Sequence, residues 1–129
     1  MSINANLFAV FFGGGIGCVA RWLLTLRFNN GASGIPTGTL MANLIGAAII
    51  GAAASYFVRL PDLPSHWKLV VTTGFCGGLT TFSTFSVEML GMIQEGQWLT
   101  AGIYMVLSFV GSLALAALAF SLVSWLAAH

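Results

Sequence analysis

A run of glycines, hydroxyls and phenylalanines stands inside a long apolar stretch, where residues 77–86 read Gly-Gly-Leu-Thr-Thr-Phe-Ser-Thr-Phe-Ser. Phe82 and Phe85 lie three residues apart, as do Ser83 and Ser86, so on a helix each pair shares a face. A phenyl ring has a positive edge, and a ring turned edge-on favours an anion without offering a charge that would trap it. The ordinary alternative is that two phenylalanines simply pack in a membrane helix.

Neutral hydrogen-bond donors occur in two further apolar stretches. Asn43 brings two N–H donors to the middle of one of them. Tyr104, Ser108 and Ser112 are spaced by four residues in the other and therefore form one hydroxyl stripe on a helix. Donors without cations suit a small anion that must bind and then leave. These residues predict an anion path at membrane depth.

Charged groups inside the apolar stretches are few. Arg21 can snorkel to the membrane surface, draw anions into a vestibule or anchor a turn. Glu88 is the carboxylate placed within a stretch, and it is the group that a proton-coupled transporter would need. Because no second carboxylate, nucleophile-base pair or metal-binding cluster accompanies it, the sequence predicts that the chain is not an enzyme.

The composition requires lipid as the solvent for these residues. Of the 129 residues, 58% are hydrophobic and 5% are charged, whereas soluble domains carry about 25% charged residues. A soluble fold of this composition would expose large apolar patches. The net charge of +1 supplies no basic surface for a phosphate backbone, so nucleic-acid binding is excluded.

Four apolar stretches match the roughly 20 residues that cross a bilayer. They predict an all-α membrane protein with four transmembrane helices in a single domain over residues 1–129. The first stretch lacks a basic n-region and is interpreted as structure rather than as a signal peptide. The predicted spans are about 6–26, 39–58, 69–93 and 98–126.

The third predicted span contains a helix-breaking pattern. Gly77 and Gly78 weaken a helix, and the hydroxyls that follow can bind freed backbone groups. We therefore expect the third helix to be broken at mid-membrane. The alternative is an unbroken helix whose serines and threonines bond back to the preceding turn.

Basic residues flanking the spans are balanced between the two sides of the membrane. Arg59 and Lys68 lie on the side of both termini, and Arg27 and at most Arg21 lie on the other. Since an excess of Lys and Arg normally sets orientation, the tie predicts insertion both ways round and an antiparallel, dual-topology homodimer. The alternative is that another feature selects one orientation.

Pairs of glycines at helical spacing predict close contact between helices. Gly13 and Gly17 form one small-xxx-small pair, and Gly74 and Gly78 form another. Such contact can lie within one subunit or at the dimer interface, and the sequence leaves both open.

Residues 74–88, together with Gly38-Thr39-Leu40 before Asn43 and the Arg21-Trp22 pair, resemble the Fluc (CrcB-type) bacterial fluoride channels. The resemblance covers nearly the whole chain. It implies a passive, fluoride-selective channel in the bacterial inner membrane that exports fluoride from the cytoplasm, with two pores per antiparallel dimer. It places Arg21 at a vestibule and implies the pore residues Asn43, Phe82, Phe85, Ser83, Thr84, Tyr104, Ser108, Ser112 and Glu88.

The same resemblance implies a structural sodium ion at the dimer centre. Its ligands would be the backbone carbonyls of Gly77 and Thr80 from both subunits. Two other functions stay open: a small dual-topology, proton-coupled multidrug exporter that depends on Glu88, and a membrane assembly subunit without transport.

Overall fold

The computed structural model describes residues 2–129, and within them the predicted all-helical fold is confirmed. The third helical segment, α3 (65–79), joins a turn over Ser65–Leu69, a wider π-helical stretch over Val70–Cys76 and a last turn over Gly77–Leu79. The other helices are α1 (Ile3–Phe28), α2 (Thr37–Phe57), α4 (Phe82–Gln94) and α5 (Trp98–Ala128).

Three of these helices, α1, α2 and α5, are long and apolar enough to cross a membrane. α1 extends beyond the predicted span 6–26 at both ends, and its start is capped by Ser2, whose side chain accepts a hydrogen bond from the Ala5 N–H at 3.3 Å. The predicted third span, 69–93, is divided between α3 and α4. Because α4 has 13 residues, this crossing needs both segments.

The predicted break of the third helix is present, and it lies just after the glycines. Gly77 and Gly78 are helical. Thr80 (φ −85°, ψ 152°) and Thr81 (φ −150°, ψ 118°) are extended and separate α3 from α4. The chain therefore leaves the helix at the two threonines.

The glycine pairs bring α1 and α3 together within one chain. An added Cβ at Gly13 would lie 2.5 Å from the Val70 carbonyl oxygen, and one at Gly74 would lie 3.2 Å from the Gly13 Cα. At Gly17 and Gly78 an added Cβ would also fall closer than 3.0 Å to backbone atoms of the facing helix. Of the two possibilities left open by the sequence, the contact within one subunit is the one observed.

The remaining helices form a second layer of contacts. α2 packs along α5, and α4 also lies against α5. Large apolar side chains on the outer faces of α1 and α5, such as Phe11 and Leu113, are exposed, which suits a surface surrounded by lipid. The antiparallel homodimer and the dual topology stay predictions.

Candidate functional site

The break between α3 and α4 is closed by the side chain of Asn43 from α2. The Thr81 N–H donates to Asn43 Oδ1 at 2.8 Å, and Asn43 Nδ2 donates to the Thr81 carbonyl at 3.3 Å. The carboxamide thus replaces both backbone partners that Thr81 would have had in a continuous helix. Asn43 holds the broken helix together through these contacts, and its role as a pore donor stays a prediction.

Arg21 stabilises the end of α3. Its Nε donates to the Gly78 carbonyl at 3.1 Å, so a positive charge sits at the helix C-terminus, where the helix dipole favours it. Of the three roles considered for Arg21, this contact is the anchoring of a turn. The vestibule role stays a prediction.

The start of α4 is capped by Thr81. Its Oγ1 accepts from the Thr84 N–H at 3.1 Å and contacts the Ser83 hydroxyl at 3.2 Å. Thr81 Oγ1 also donates to the Thr84 hydroxyl at 3.1 Å. The hydroxyls of Ser83 and Thr84, both predicted as pore groups, are therefore engaged in the helix cap.

An open groove of about 950 Å³ runs beside the break. α2, α3, α4 and α5 all contribute to its walls, and most of the lining is apolar. It gathers seven of the residues selected from the sequence: Asn43, Gly77, Thr80, Phe82, Phe85, Ser108 and Ser112.

The two phenylalanines of α4 differ in how far they are exposed. Phe82 is 79% exposed and forms part of the open wall of the groove. Phe85 is half-buried, and its ring centroid lies 5.9 Å from that of Phe82 and 5.0 Å from that of Tyr104. The pair thus presents a line of rings that continues into the hydroxyl stripe of α5.

Ser108 and Ser112 continue the stripe deeper into the groove. Ser108 Oγ is buried and has no hydrogen-bond partner among residues 2–129. A buried hydroxyl without a partner is costly, and Ser108 is among the residues that line the groove.

Glu88 lies one turn beyond Phe85 toward the end of α4. Its Oε1 accepts from the Tyr104 hydroxyl at 2.9 Å, and its Oε2 accepts from the Thr39 hydroxyl at 3.0 Å. Thr39 and Tyr104 are fully buried. A carboxylate that would be costly in a bilayer is therefore surrounded by donors.

Sequence reasoning missed two members of this network, Asn29 and Thr39. Asn29 Nδ2 donates to Glu88 Oε2 at 3.4 Å and to Thr39 Oγ1 at 3.2 Å. Asn29 stands in an Asn-Asn-Gly sequence that is typical of a turn, and Thr39 was quoted for the family motif without a role. The sequence feature that could have identified them is a polar residue at each end of a short loop between two spans.

The Gly77 carbonyl lacks its helical hydrogen-bond donor. The Thr81 N–H, which would bind it in a continuous helix, donates to Asn43 instead. Gly77 is exposed on the groove. Among residues 2–129 there is no cluster of three or more His, Cys, Asp or Glu side chains that could hold a metal ion. A cation at this place would rely on backbone oxygens.

Comparison with known proteins matches residues 8–120 to the family described as CrcB-like protein, Camphor Resistance (CrcB). The chain is 54% identical over 125 residues to the fluoride-specific ion channel FluC of Pectobacterium carotovorum, covering 97% of this chain and 98% of the relative. It is 54% identical over 123 residues to the FluC of Escherichia coli strain E24377A, covering 95% and 97%. It is 52% identical over 119 residues to FluC 1 of Yersinia pestis, covering 92% and 94%.

These relatives are named as ion channels, which confirms the prediction that the chain is not an enzyme. Together with the three apolar helices they indicate a multi-pass membrane protein. The match to the family model spans most of the chain, and the likeness to the relatives extends over nearly all of it. The chain therefore belongs to the CrcB-like family.

Proposed function

We propose that this protein is a passive, fluoride-selective channel of the bacterial inner membrane, which lets fluoride leave the cytoplasm and relieves its toxicity. The observation that carries the proposal is the groove at the helix break. There two phenylalanine rings and neutral donors from α2 and α5 line one path, in a chain that is 54% identical to fluoride-specific channels.

The groove offers donors and ring edges to an anion. Asn43 uses one N–H on Thr81, and the second N–H of the same amide is a donor for an ion in the groove. Ser108 supplies a hydroxyl without a partner in the chain. Phe82 and Phe85 line the same groove, and ring edges turned toward the path would favour an anion weakly enough to let it move on.

Selection of fluoride requires donors dense enough to replace its water and a path narrow enough to reject larger halides. In the groove, hydroxyl and amide donors replace the water around the ion. The charged groups nearby are bound to other protein groups. Arg21 binds the Gly78 carbonyl, and Glu88 accepts from Thr39 and Tyr104. An ion passing Phe82 and Phe85 therefore meets dipoles rather than a countercharge.

A second, antiparallel copy would close the groove and give two pores per dimer. The groove is open along one side, and its exposed wall is formed by Phe82 and by apolar residues of α5 such as Phe109. The balance of Arg59 and Lys68 against Arg27 and Arg21 supports insertion in both orientations.

The residues at the break suit a structural sodium ion between the two copies. The Gly77 carbonyl has lost its helical donor, and Thr80 is in an extended conformation at the same exposed wall. Backbone oxygens are ligands for a hard cation, so the Gly77 and Thr80 carbonyls of both copies would hold it. When bound, it would supply positive charge beside the anion path.

Passive flow is sufficient for export, because an inside-negative membrane potential drives anions outward by about 2.3 kcal/mol per charge per 100 mV. No coupling ion is required. The alternative of a proton-coupled multidrug exporter is not favoured, because the relatives are named as fluoride-specific ion channels. The Glu88 carboxylate on which it depended is already bonded to three side chains.

Fluoride efflux from proteoliposomes, followed with a fluoride electrode, tests the proposal. The wild-type protein should pass fluoride and not chloride. Phe82→Ala should slow fluoride efflux roughly three- to tenfold, the rate equivalent of a lost aromatic contact of about 0.5–1.5 kcal/mol. Phe11→Ala, which removes an exposed ring on α1 away from the groove, is the matched control and should leave efflux unchanged. Equal fluoride efflux from the Phe82 variant and the wild type would contradict the assigned pore, and no efflux from the wild type would also allow an assembly subunit without transport.

A further inference from the structure

Asn29 lies where three helices meet at the end of the molecule that carries the first and third loops. It caps α1, its backbone N–H donating to the Thr25 carbonyl at 3.1 Å. Its side chain reaches across to α2 and α4: Oδ1 accepts from the Thr39 N–H at 3.0 Å, and Nδ2 donates to Thr39 Oγ1 and Glu88 Oε2.

The orientation of the Asn29 amide follows from these partners. A backbone N–H can only donate, so the atom facing the Thr39 N–H is the amide oxygen. The amide nitrogen must then face the Thr39 hydroxyl and Glu88. Because Thr39 Oγ1 accepts from that nitrogen, its own proton is directed toward Glu88 Oε2, which lies 3.0 Å away.

The position of Asn29 depends on close packing between α1 and α2. A Cβ added at Gly38 would lie 2.8 Å from Asn29 Oδ1 and would also meet the Leu24 carbonyl. The start of α2 therefore approaches the end of α1 closely enough for the short Asn29 side chain to bind Thr39.

The contacts continue from Glu88 to the aromatic pair. Glu88 Oε1 accepts from the Tyr104 hydroxyl, and the Tyr104 ring lies 5.0 Å from the Phe85 ring. Asn29, Glu88, Tyr104 and Phe85 thus form an unbroken series of contacts from the loop end to the groove. If the Glu88 carboxylate moved, Tyr104 would lose the acceptor of its hydroxyl. The tyrosine ring against which Phe85 packs would then no longer be held in place.

We propose that Asn29 is a positioning residue for conduction, which holds Glu88 so that Tyr104 keeps the Phe85 ring oriented toward the groove. The inference rests on the fluoride-channel function proposed above. Asn29 acts through Glu88 and Tyr104, without touching the ion.

Asn29→Asp tests this with little change in shape. The variant keeps an acceptor for the Thr39 N–H but turns a carboxylate oxygen toward Glu88 in place of a donor. Glu88 is the charged group facing this position, Tyr104 binds its other oxygen, and α2 and α5 carry no charged residue within their helices. Two carboxylates this close share a proton as the pH falls, which restores a donor.

We expect Asn29→Asp to reduce fluoride efflux roughly tenfold at pH 7.5, because a hydrogen bond to a charged group is replaced by repulsion. Efflux relative to the wild type should recover as the pH is lowered, because a proton shared between the two carboxylates restores a donor. Asn30→Asp, which adds the same charge at the exposed neighbouring position, is the control and should match the wild type over the same pH range. Asn29→Ala should slow efflux with no recovery at low pH, and it serves as the second variant if the aspartate variant does not fold.

A double-mutant cycle separates positioning from a general structural role. If Asn29 acts through Tyr104, the slowing caused by Asn29→Ala should shrink in a Tyr104→Phe background, which lacks the hydroxyl that binds Glu88. Fully additive effects, or unchanged efflux in both Asn29 variants, would overturn the inference. Absence of fluoride efflux from the wild type would instead refute the proposed function.

Discussion

The two halves of the third membrane crossing are held in opposite ways. α3 lies against α1 through glycines, with Gly74 and Gly78 meeting backbone atoms of the facing helix. α4 begins with an exposed Phe82 and keeps Val87 and Leu90 exposed as well. One half is packed backbone to backbone, and the other packs on α5 through the side chains of Phe85, Met89 and Met92.

This difference gives the two halves separate roles: α3 supports the break, and α4 presents side chains to the groove. Close backbone contact leaves α3 no room to move, so it can act as a rigid base for the break at Thr80 and Thr81. The groups offered to the groove belong to α4 and to the helices facing it, where Asn43 and Thr81 hold the chain by a few hydrogen bonds. Substitutions in α3 should therefore affect mainly stability. Substitutions around α4 should affect mainly conduction.

The largest effect is expected at the crossing of α1 and α3. Gly17→Leu would drive a side chain into the backbone of α3, where even a Cβ would approach the Leu79 nitrogen to 2.8 Å. Overpacking of this kind costs about 3 kcal/mol or more, so we expect loss of folded protein in detergent, measured by size-exclusion chromatography and thermal unfolding. Gly15→Leu is the control, because a Cβ there meets nothing within 4 Å. Equal stability of the two variants would show that the glycine contact does not hold α3.

Asn43 lies at the junction of the two halves, and two substitutions there should have different effects. Asn43→Leu leaves the Thr81 N–H and carbonyl without partners, at about 1–3 kcal/mol for each group, and should lower both thermal stability and fluoride efflux. Asn43→Asp keeps the acceptor for the Thr81 N–H but places a negative charge on the groove. Its stability should still fall, because its second oxygen faces the Thr81 carbonyl, and it should abolish efflux. An aspartate variant that conducts like the wild type would remove Asn43 from the pore.

Hydrophobic length and composition were sufficient to predict the helices and the interruption of the third one. They were not sufficient to locate the break, because Gly78 fits both a helix-breaking pair with Gly77 and a packing pair with Gly74. In the structure Gly78 lies against the backbone of α1 and stays helical. The break moves to the threonines, since Asn43 and Arg21 supply partners for the backbone groups on either side of it.

Donors and aromatics at membrane depth are conspicuous in a sequence with 5% charged residues, and seven of those selected line the groove. Ser83, Thr84, Tyr104 and Glu88, which were also predicted for the pore, are not among its lining residues. The network around Glu88 was only partly visible. Spacing along a helix identifies residues that share a face of that helix, and it carries no information on which end of α1 meets which turn of α4. Asn29 and Thr39 come from different helices, which approach each other closely at Gly38, and both bind Glu88 on a third.

Arg21 offers a smaller perturbation on the side of the rigid half. Arg21→Leu removes the donor to the Gly78 carbonyl and should cost about 1.5–3 kcal/mol, the range for hydrogen bonds to charged groups. Thermal unfolding in detergent measures the loss. Arg27→Leu is the matched control, because Arg27 is exposed and its guanidinium lies over the Phe28 ring. If both variants unfold at the wild-type temperature, the break does not depend on the contact between Arg21 and Gly78.

Substitution of Ser108 should have the smallest effect on stability of the changes considered. It should nevertheless have a clear effect on transport. Its buried Oγ has no partner among the described residues, so Ser108→Ala removes an unsatisfied group and should leave the unfolding free energy unchanged or raise it by up to about 1 kcal/mol. Fluoride efflux should nevertheless fall several-fold, because a donor in the wall of the groove is lost. Ser121→Ala, an exposed position further along α5, should change neither quantity. A Ser108 variant that is destabilised but conducts normally would mean that the hydroxyl belongs to the support of the fold, and the division between the two halves would then not extend to α5.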